Sequence, residues 1–189
     1  METTGKLKSV TMTNEMGVEV KEKLSKDAKT WSTAEDLGYN HTYSIVASDV
    51  DGNKKKLSFS TPQAAGVAEV SLTPIPDSEV GVGQVIGVNF GVPITDRKAA
   101  EKTITVTTNP EVKGAFYWVN NQEVRWRPKE YWEPGTKVEV KVDQYGKDLG
   151  GGIYGGENAK TNFTIGDRTV AIIDNATKTM KVFKNKKFL

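Results

Sequence analysis

Apolar residues recur at every second position through most of this 189-residue chain, and that commits it to half-buried strands. Val10 and Met12 alternate with Thr11 and Thr13, Val18 and Val20 with Glu19 and Lys21, Leu57 and Phe59 with Ser58 and Ser60. Val70 and Leu72, then Ile86, Val88 and Phe90, continue the pattern. So do Phe116 and Trp118, Val124 and Trp126, Val138, Val140 and Val142, and finally Phe163 and Ile165. Turn residues punctuate these runs at Asn14 to Gly17, Asp51-Gly52, Asn120-Asn121 and Pro134-Gly135. One short helix is expected over Arg97 to Lys102, capped by Thr95 or Asp96, and a second helical turn over Pro128 to Trp132.

Composition removes several kinds of chemistry. With no cysteine, this chain holds no disulfide scaffold, thiolate zinc site or cysteine nucleophile. A single histidine, His41, leaves no multi-histidine metal site, and it lacks a partnered nucleophile, so it reads as a surface residue. No run reaches the ~18 apolar residues of a spanning helix, and no apolar N-terminal run marks a signal peptide. Any targeting signal or anchor is therefore expected outside this sequence. Residues 1–63 are charge-neutral and 64–166 slightly acidic, while 167–189 carry the basic excess. A nucleic-acid footprint needs a basic face on a folded unit, so no nucleic-acid partner is expected.

The motifs that suggest ligands each have a plainer explanation. Asp49-Val50-Asp51-Gly52-Asn53 looks like part of a calcium loop, but Lys54 and Ser60 stand where glycine and glutamate belong. A hairpin turn fits better. Gly150 to Gly155 matches G-x-G-x-x-G, yet no helix is expected after it to receive a pyrophosphate. No cofactor is expected. Three Asn-x-Thr sequons, at Asn40, Asn162 and Asn175, are short enough to arise by chance. The aromatics at 116–118, 126 and 131–132 could stack on sugars, but their alternation points Trp118 and Trp126 into a core.

Leu37-Gly38-Tyr39-Asn40-His41-Thr42-Tyr43, leading into a strand, resembles the tyrosine corner of Ig-like sandwiches, and Tyr131 to Thr136 faintly repeats it. The expected fold class is all-β, with two tandem Ig-like β-sandwiches over 1–63 and 64–166. A hairpin over 167–189 then reads as the opening of a truncated third domain. Its sheet partners being absent, that hairpin is expected to be poorly packed or engaged with a neighbouring chain.

More specific blocks follow the same order. Ser9-Val10-Thr11-Met12-Thr13-Asn14, Leu37-Gly38-Tyr39 with Thr42-Tyr43, and Phe59-Ser60-Thr61 resemble the first Ig-like domain of actinobacterial L,D-transpeptidases. Trp126-Arg127-Pro128-Lys129 with Tyr131-Trp132, Gly152 with Tyr154-Gly155, and Phe163-Thr164-Ile165-Gly166 resemble their second. Asp167 to Leu189 resembles the first hairpin of the catalytic domain. The resemblance implies extracytoplasmic, membrane-anchored cell-wall enzymes whose cysteine is acylated by a peptidoglycan stem and passes the acyl group on to form a 3→3 cross-link. None of that catalytic set is in this chain, so the catalytic, cofactor and metal residues here are none.

The resemblance therefore implies a non-catalytic spacer and docking region. Its partner would be its own catalytic domain, with peptidoglycan as a further candidate, and any membrane contact would come through an anchor outside the chain. Tyr145, Gly152, Tyr154 and Gly155 are the candidate docking residues. Lys178, Lys181 and Lys184, with Lys186 and Lys187, are candidate wall contacts or simply a solvated face. A wall-binding module and a stand-alone Ig-like adhesion or structural protein are the competing readings.

Overall fold

A computed structural model describes residues 5–188. They form two compact units, which divide at Ala64 and Ala65. The described residues are all-β apart from one short helix.

The first unit contains β1 (Leu7–Asn14), β2 (Glu22–Leu24), β3 (Trp31–Thr33), β4 (Thr42–Asp49) and β5 (Lys54–Ser60). β1, β4 and β5 form one antiparallel sheet in that order, and β2 pairs with β3. Val10 lies opposite Ala47 and Met12 opposite Ile45, so alternate positions of both strands reach one core. A register shift between Leu7 and Ser9 turns Leu7 to the same side as Val10 despite their odd spacing. Trp31 closes this core from β3 and donates its indole N–H to Glu22 Oε2 at 2.8 Å. The Tyr43 hydroxyl accepts the Gly38 N–H at 3.2 Å, the back-bond of a tyrosine corner. Val18 and Val20 depart from the expected strand. They lie in a loop tied by the Asn14 side chain, which accepts the Met16 and Val18 N–H groups. Beyond that turn the segment still pairs back on β1, by one antiparallel bridge of Glu19 to Thr13, with the Val20 N–H on Met12 O at 2.9 Å and the Asn14 N–H on Val18 O at 3.0 Å.

The second unit begins with β6 (Gly66–Ala68), β7 (Ser71–Thr73), β8 (Ser78–Val80) and β9 (Ile86–Asn89). α1 (Arg97–Lys102), β10 (Ile104–Asn109), β11 (Gly114–Trp118), β12 (Glu123–Pro128) and β13 (Lys137–Val142) follow. β14 (Ile153–Gly155), β15 (Ala159–Ile165), β16 (Thr169–Asp174), β17 (Thr179–Lys184) and β18 (Lys187–Phe188) complete it. One four-stranded sheet runs β10-β13-β15-β8 and another β11-β12-β9-β7. Their inner faces share a core: Ile86, Val88, Val124 and Trp126 from one, Val138, Val140, Val142, Phe163 and Ile165 from the other.

Trp132 plugs this core with almost no exposure, packed against Trp126 and Phe163, and its indole N–H reaches Gln84 O at 2.7 Å. The expected helical turn over 128–132 does not form. β12 runs through Pro128, and the Lys129 N–H bonds Lys113 O across from it at 3.0 Å. Tyr131 is exposed, so the second corner is held by a tryptophan rather than a tyrosine. α1 is capped by Asp96, whose carboxylate accepts the Ala99 N–H at 2.9 Å.

Candidate functional site

The glycine-rich segment is built into the second unit as a wedge. Gly150, Gly151 and Gly152 all have positive φ, and a Cβ at Gly150 would stand 2.5 Å from Thr95 Oγ1 and 2.8 Å from Asp96 N. The loop thus presses on the cap of α1. The Ala65 N–H donates to Gly152 O at 2.9 Å, after which β14 pairs in parallel with β6. A strand, not a helix, follows the glycines, so nothing there forms the N-terminal seat that a pyrophosphate needs.

Tyr145, Gly152, Tyr154 and Gly155 do come together. Tyr145 bridges Gly155, Tyr154 bridges Asp148, and Tyr154 lies opposite Val67. Gly155 is buried, and a Cβ there would land on the Gln144 carbonyl. Gln144 is itself fully buried and donates through Nε2 to Ala68 O at 2.9 Å and Glu157 O at 3.1 Å. Both tyrosines are half-buried. The four residues therefore fasten the start of the second unit, at Ala65 to Ala68, to its later strands.

The three lysines share a hairpin but not a face. Lys181 pairs with Ile172 and Lys184 with Thr169, on opposite sides of the β16–β17 ladder. Lys184 is engaged by Asp167 at 2.9 Å, and with Asn185 it holds that carboxyl below its usual range. Lys178, in the turn, donates to Asn175 Oδ1 at 2.8 Å. Both faces of this sheet carry apolar side chains. Ile172 and Phe188 are exposed on one, Ile173 and Met180 on the other, while Val170 packs on the second unit's core.

The aromatic set separates by depth. Trp126 and Trp132 are core residues, and Trp118 is half-buried, stacked on Phe90 with its indole N–H on Glu101 Oε1 at 2.6 Å. Tyr117 and Tyr131 are the exposed members. Tyr131 borders an open cleft of about 230 Å³ shared with Gln84, Arg127 and Lys129. The Arg168 guanidinium sits 5.7 Å from its ring centroid. That cation–aromatic pairing joins residues far apart in sequence, so no local pattern announces it.

His41 is bound by Glu15, with Nδ1 2.7 Å from Oε1, while the other carboxylate oxygen accepts the Thr42 N–H at 2.9 Å. The Asp49 carboxylate is occupied by the Asp51 and Asn53 N–H groups and the Asn53 side chain. Those bonds, led by the Asn53 side chain, lower its pKa and make an Asx turn rather than a calcium loop. Among the described residues, no group of three or more His, Cys, Asp or Glu is poised to hold a metal ion.

Residues 1–148 match the family described as "Bacterial Ig domain". The chain belongs to that family. Beyond it, this Ig-domain chain is similar to L,D-transpeptidase 2 of Mycobacterium tuberculosis (strain CDC 1551 / Oshkosh), 46% identical over 184 residues, covering 96% of the chain and 45% of that protein. L,D-transpeptidase 5 of Mycobacterium tuberculosis (strain ATCC 25618 / H37Rv) is 32% identical over 174 residues, 88% of the chain and 39% of that protein. Among solved structures, an LD transpeptidase, LdtMt1, in complex with imipenem superposes with a TM-score of 0.55 at 31% identity, over 65% of this chain and 50% of that one. The chain thus spans less than half the length of the curated relatives it matches.

Proposed function

We propose that this chain is the non-catalytic spacer and docking region of a peptidoglycan L,D-transpeptidase, acting outside the cytoplasm at the cell wall. The observation that carries this reading is the 46% identity that runs through 96% of the chain yet covers only 45% of the transpeptidase. The parent would form cross-links by acyl transfer through a cysteine, and this sequence contains no cysteine.

The terminal sheet fits the same reading. A hairpin with exposed Ile172 and Phe188 on one face and Ile173 and Met180 on the other needs cover on both sides. A catalytic domain growing from β16 to β18 would supply it. The β14–β6 clamp would then stiffen the unit on which that domain rests. Membrane attachment would lie outside this sequence.

The test is a parent enzyme lacking residues 1–64. Cross-linking in cells should fall well below the wild-type level while turnover of a soluble peptide stem is retained. Equal losses in both assays would overturn the spacer role. Turnover of that stem by this chain alone would overturn its non-catalytic character.

A further inference from the structure

The three-stranded sheet of the first unit has a second face, turned away from the core. Tyr43, Ile45 and Ala47 of β4 point inward, so Ser44, Val46 and Ser48 point out. Pairing sets each of them in a row across the sheet: Ser9, Ser48 and Lys54, then Thr11, Val46 and Lys56, then Thr13, Ser44 and Ser58. Lys6 and Lys8 flank buried Leu7 and are exposed beside Ser9. No carboxylate stands in these rows. Asp49 follows Ser48 but falls on the core side, opposite Leu7, with its oxygens held by Asp51 and Asn53. Glu15 lies beyond the far end of β1, committed to His41 and Thr42.

The lysines of this face are not neutralised. Residues 1–63 balance in charge, yet among the described residues no ion pair engages Lys6, Lys8, Lys54 or Lys56. Folding has moved much of the matching acid elsewhere, as with Glu35, which pairs with Lys21 at 3.5 Å. The outward side of β13 in the second unit shows the alternative, with Lys141 held by Glu139 at 2.8 Å. Neighbouring strands lie ~4.8 Å apart, so β1 and β5 hold their lysines ~10 Å apart across β4. Between them runs a strip of hydroxyls, where Ser9 and Ser48 share a hydrogen bond of 2.8 Å.

We infer that this face binds an anionic polysaccharide, with its acid groups between the lysines of β1 and β5 and its ring hydroxyls over the serines and threonines. Uncompensated cations attract the polymer's charge, and the side-chain hydroxyls both donate to and accept from a sugar. A single-stranded nucleic acid needs aromatic platforms for its bases, and these rows offer none. A lipid surface needs an aromatic or long apolar side chain to insert, and only Val46 projects here. Polysaccharide binding would add a wall contact to the proposed spacer, and it rests on that reading only for where the polymer is met.

The test titrates the 189-residue chain by calorimetry with polygalacturonate, neutral dextran, a single-stranded oligonucleotide and phosphatidylglycerol vesicles. Polygalacturonate should bind, less tightly as salt rises, and dextran should not. Lys54→Gln with Lys56→Gln should weaken binding about tenfold, and so should Lys6→Gln with Lys8→Gln. Lys98→Gln with Lys102→Gln, on α1, removes the same charge and should leave the affinity unchanged. Val46→Asp sets a carboxylate between the lysines and should abolish binding with the circular dichroism spectrum retained. Absence of polygalacturonate binding overturns the inference. So does an equal loss in the α1 pair, which marks attraction to net charge alone, or tighter binding of the oligonucleotide or the vesicles. If Val46→Asp fails to fold, the lysine pairs decide. No enzyme enters these assays, so failure here leaves the spacer reading to its own test.

Discussion

Glu15 grips His41 and the strand that follows it with one carboxylate, Oε1 2.7 Å from the ring nitrogen and Oε2 2.9 Å from the Thr42 nitrogen. These bonds, the histidine first, bring the Glu15 pKa down to about 2 from an ordinary 4.5. A carboxyl depressed on folding contributes stability above its unfolded pKa and loses it as pH falls toward the folded value. The contribution should therefore be complete above pH 4.5 and disappear between there and pH 2. The protection factors of the β4 amides, taken against the intrinsic exchange rate at each pH, should fall through that window, and less steeply in Glu15→Gln. An unchanged acid profile in the variant would show that the grip carries no stability.

Tyr43→Phe deletes the acceptor of the Gly38 N–H and little else. A cost of ~1 kcal/mol in urea unfolding of the first unit is expected. A neutral result would mean that water replaces the hydroxyl at Gly38 without loss.

Gly155→Ala should destabilise the second unit by about 1–3 kcal/mol, because the new methyl falls on the Gln144 carbonyl and backbone must move. Gly135, whose Cβ position is open, has a positive φ, so Gly135→Ala isolates the backbone strain alone. Thermal melts of the two variants separate crowding from strain.

Trp132→Ala empties the centre of the aromatic cluster formed with Trp126 and Phe163 and strands the Gln84 carbonyl. The loss should be ~3–5 kcal/mol by chemical denaturation. Trp132→Phe should lose less, keeping the ring but not the N–H.

Much of this architecture is legible in the sequence where burial is one-sided. β12, with Val124 and Trp126 inward, and β13, with Val138, Val140 and Val142 inward, show the period directly. The same cue overreaches at Val18 and Val20, where pairing with β1 stops at a single Glu19–Thr13 bridge beside the turn closed by Asn14. β6 and β14 are three residues long and pair across more than eighty residues, so no local pattern marks them. The lysines of the last hairpin look like one cluster in sequence. Applying the strand period to Lys181 and Lys184 already separates them onto two faces. The Tyr131–Arg168 contact depends on tertiary placement and leaves no trace in spacing.

The two parallel pairings of the second unit set the order in which it can be completed. β6 waits for β14 and β8 waits for β15, each with no other sheet neighbour among the described residues. A ribosome or translocation channel delivering this chain N-terminus first would release both early strands long before their partners. Their edges stay open until the chain has emerged to Ile165. A contact pattern this non-local slows folding and lengthens exposure to misassociation. The second unit is thus a late folder during synthesis or export, the stage at which a chaperone would have most to protect.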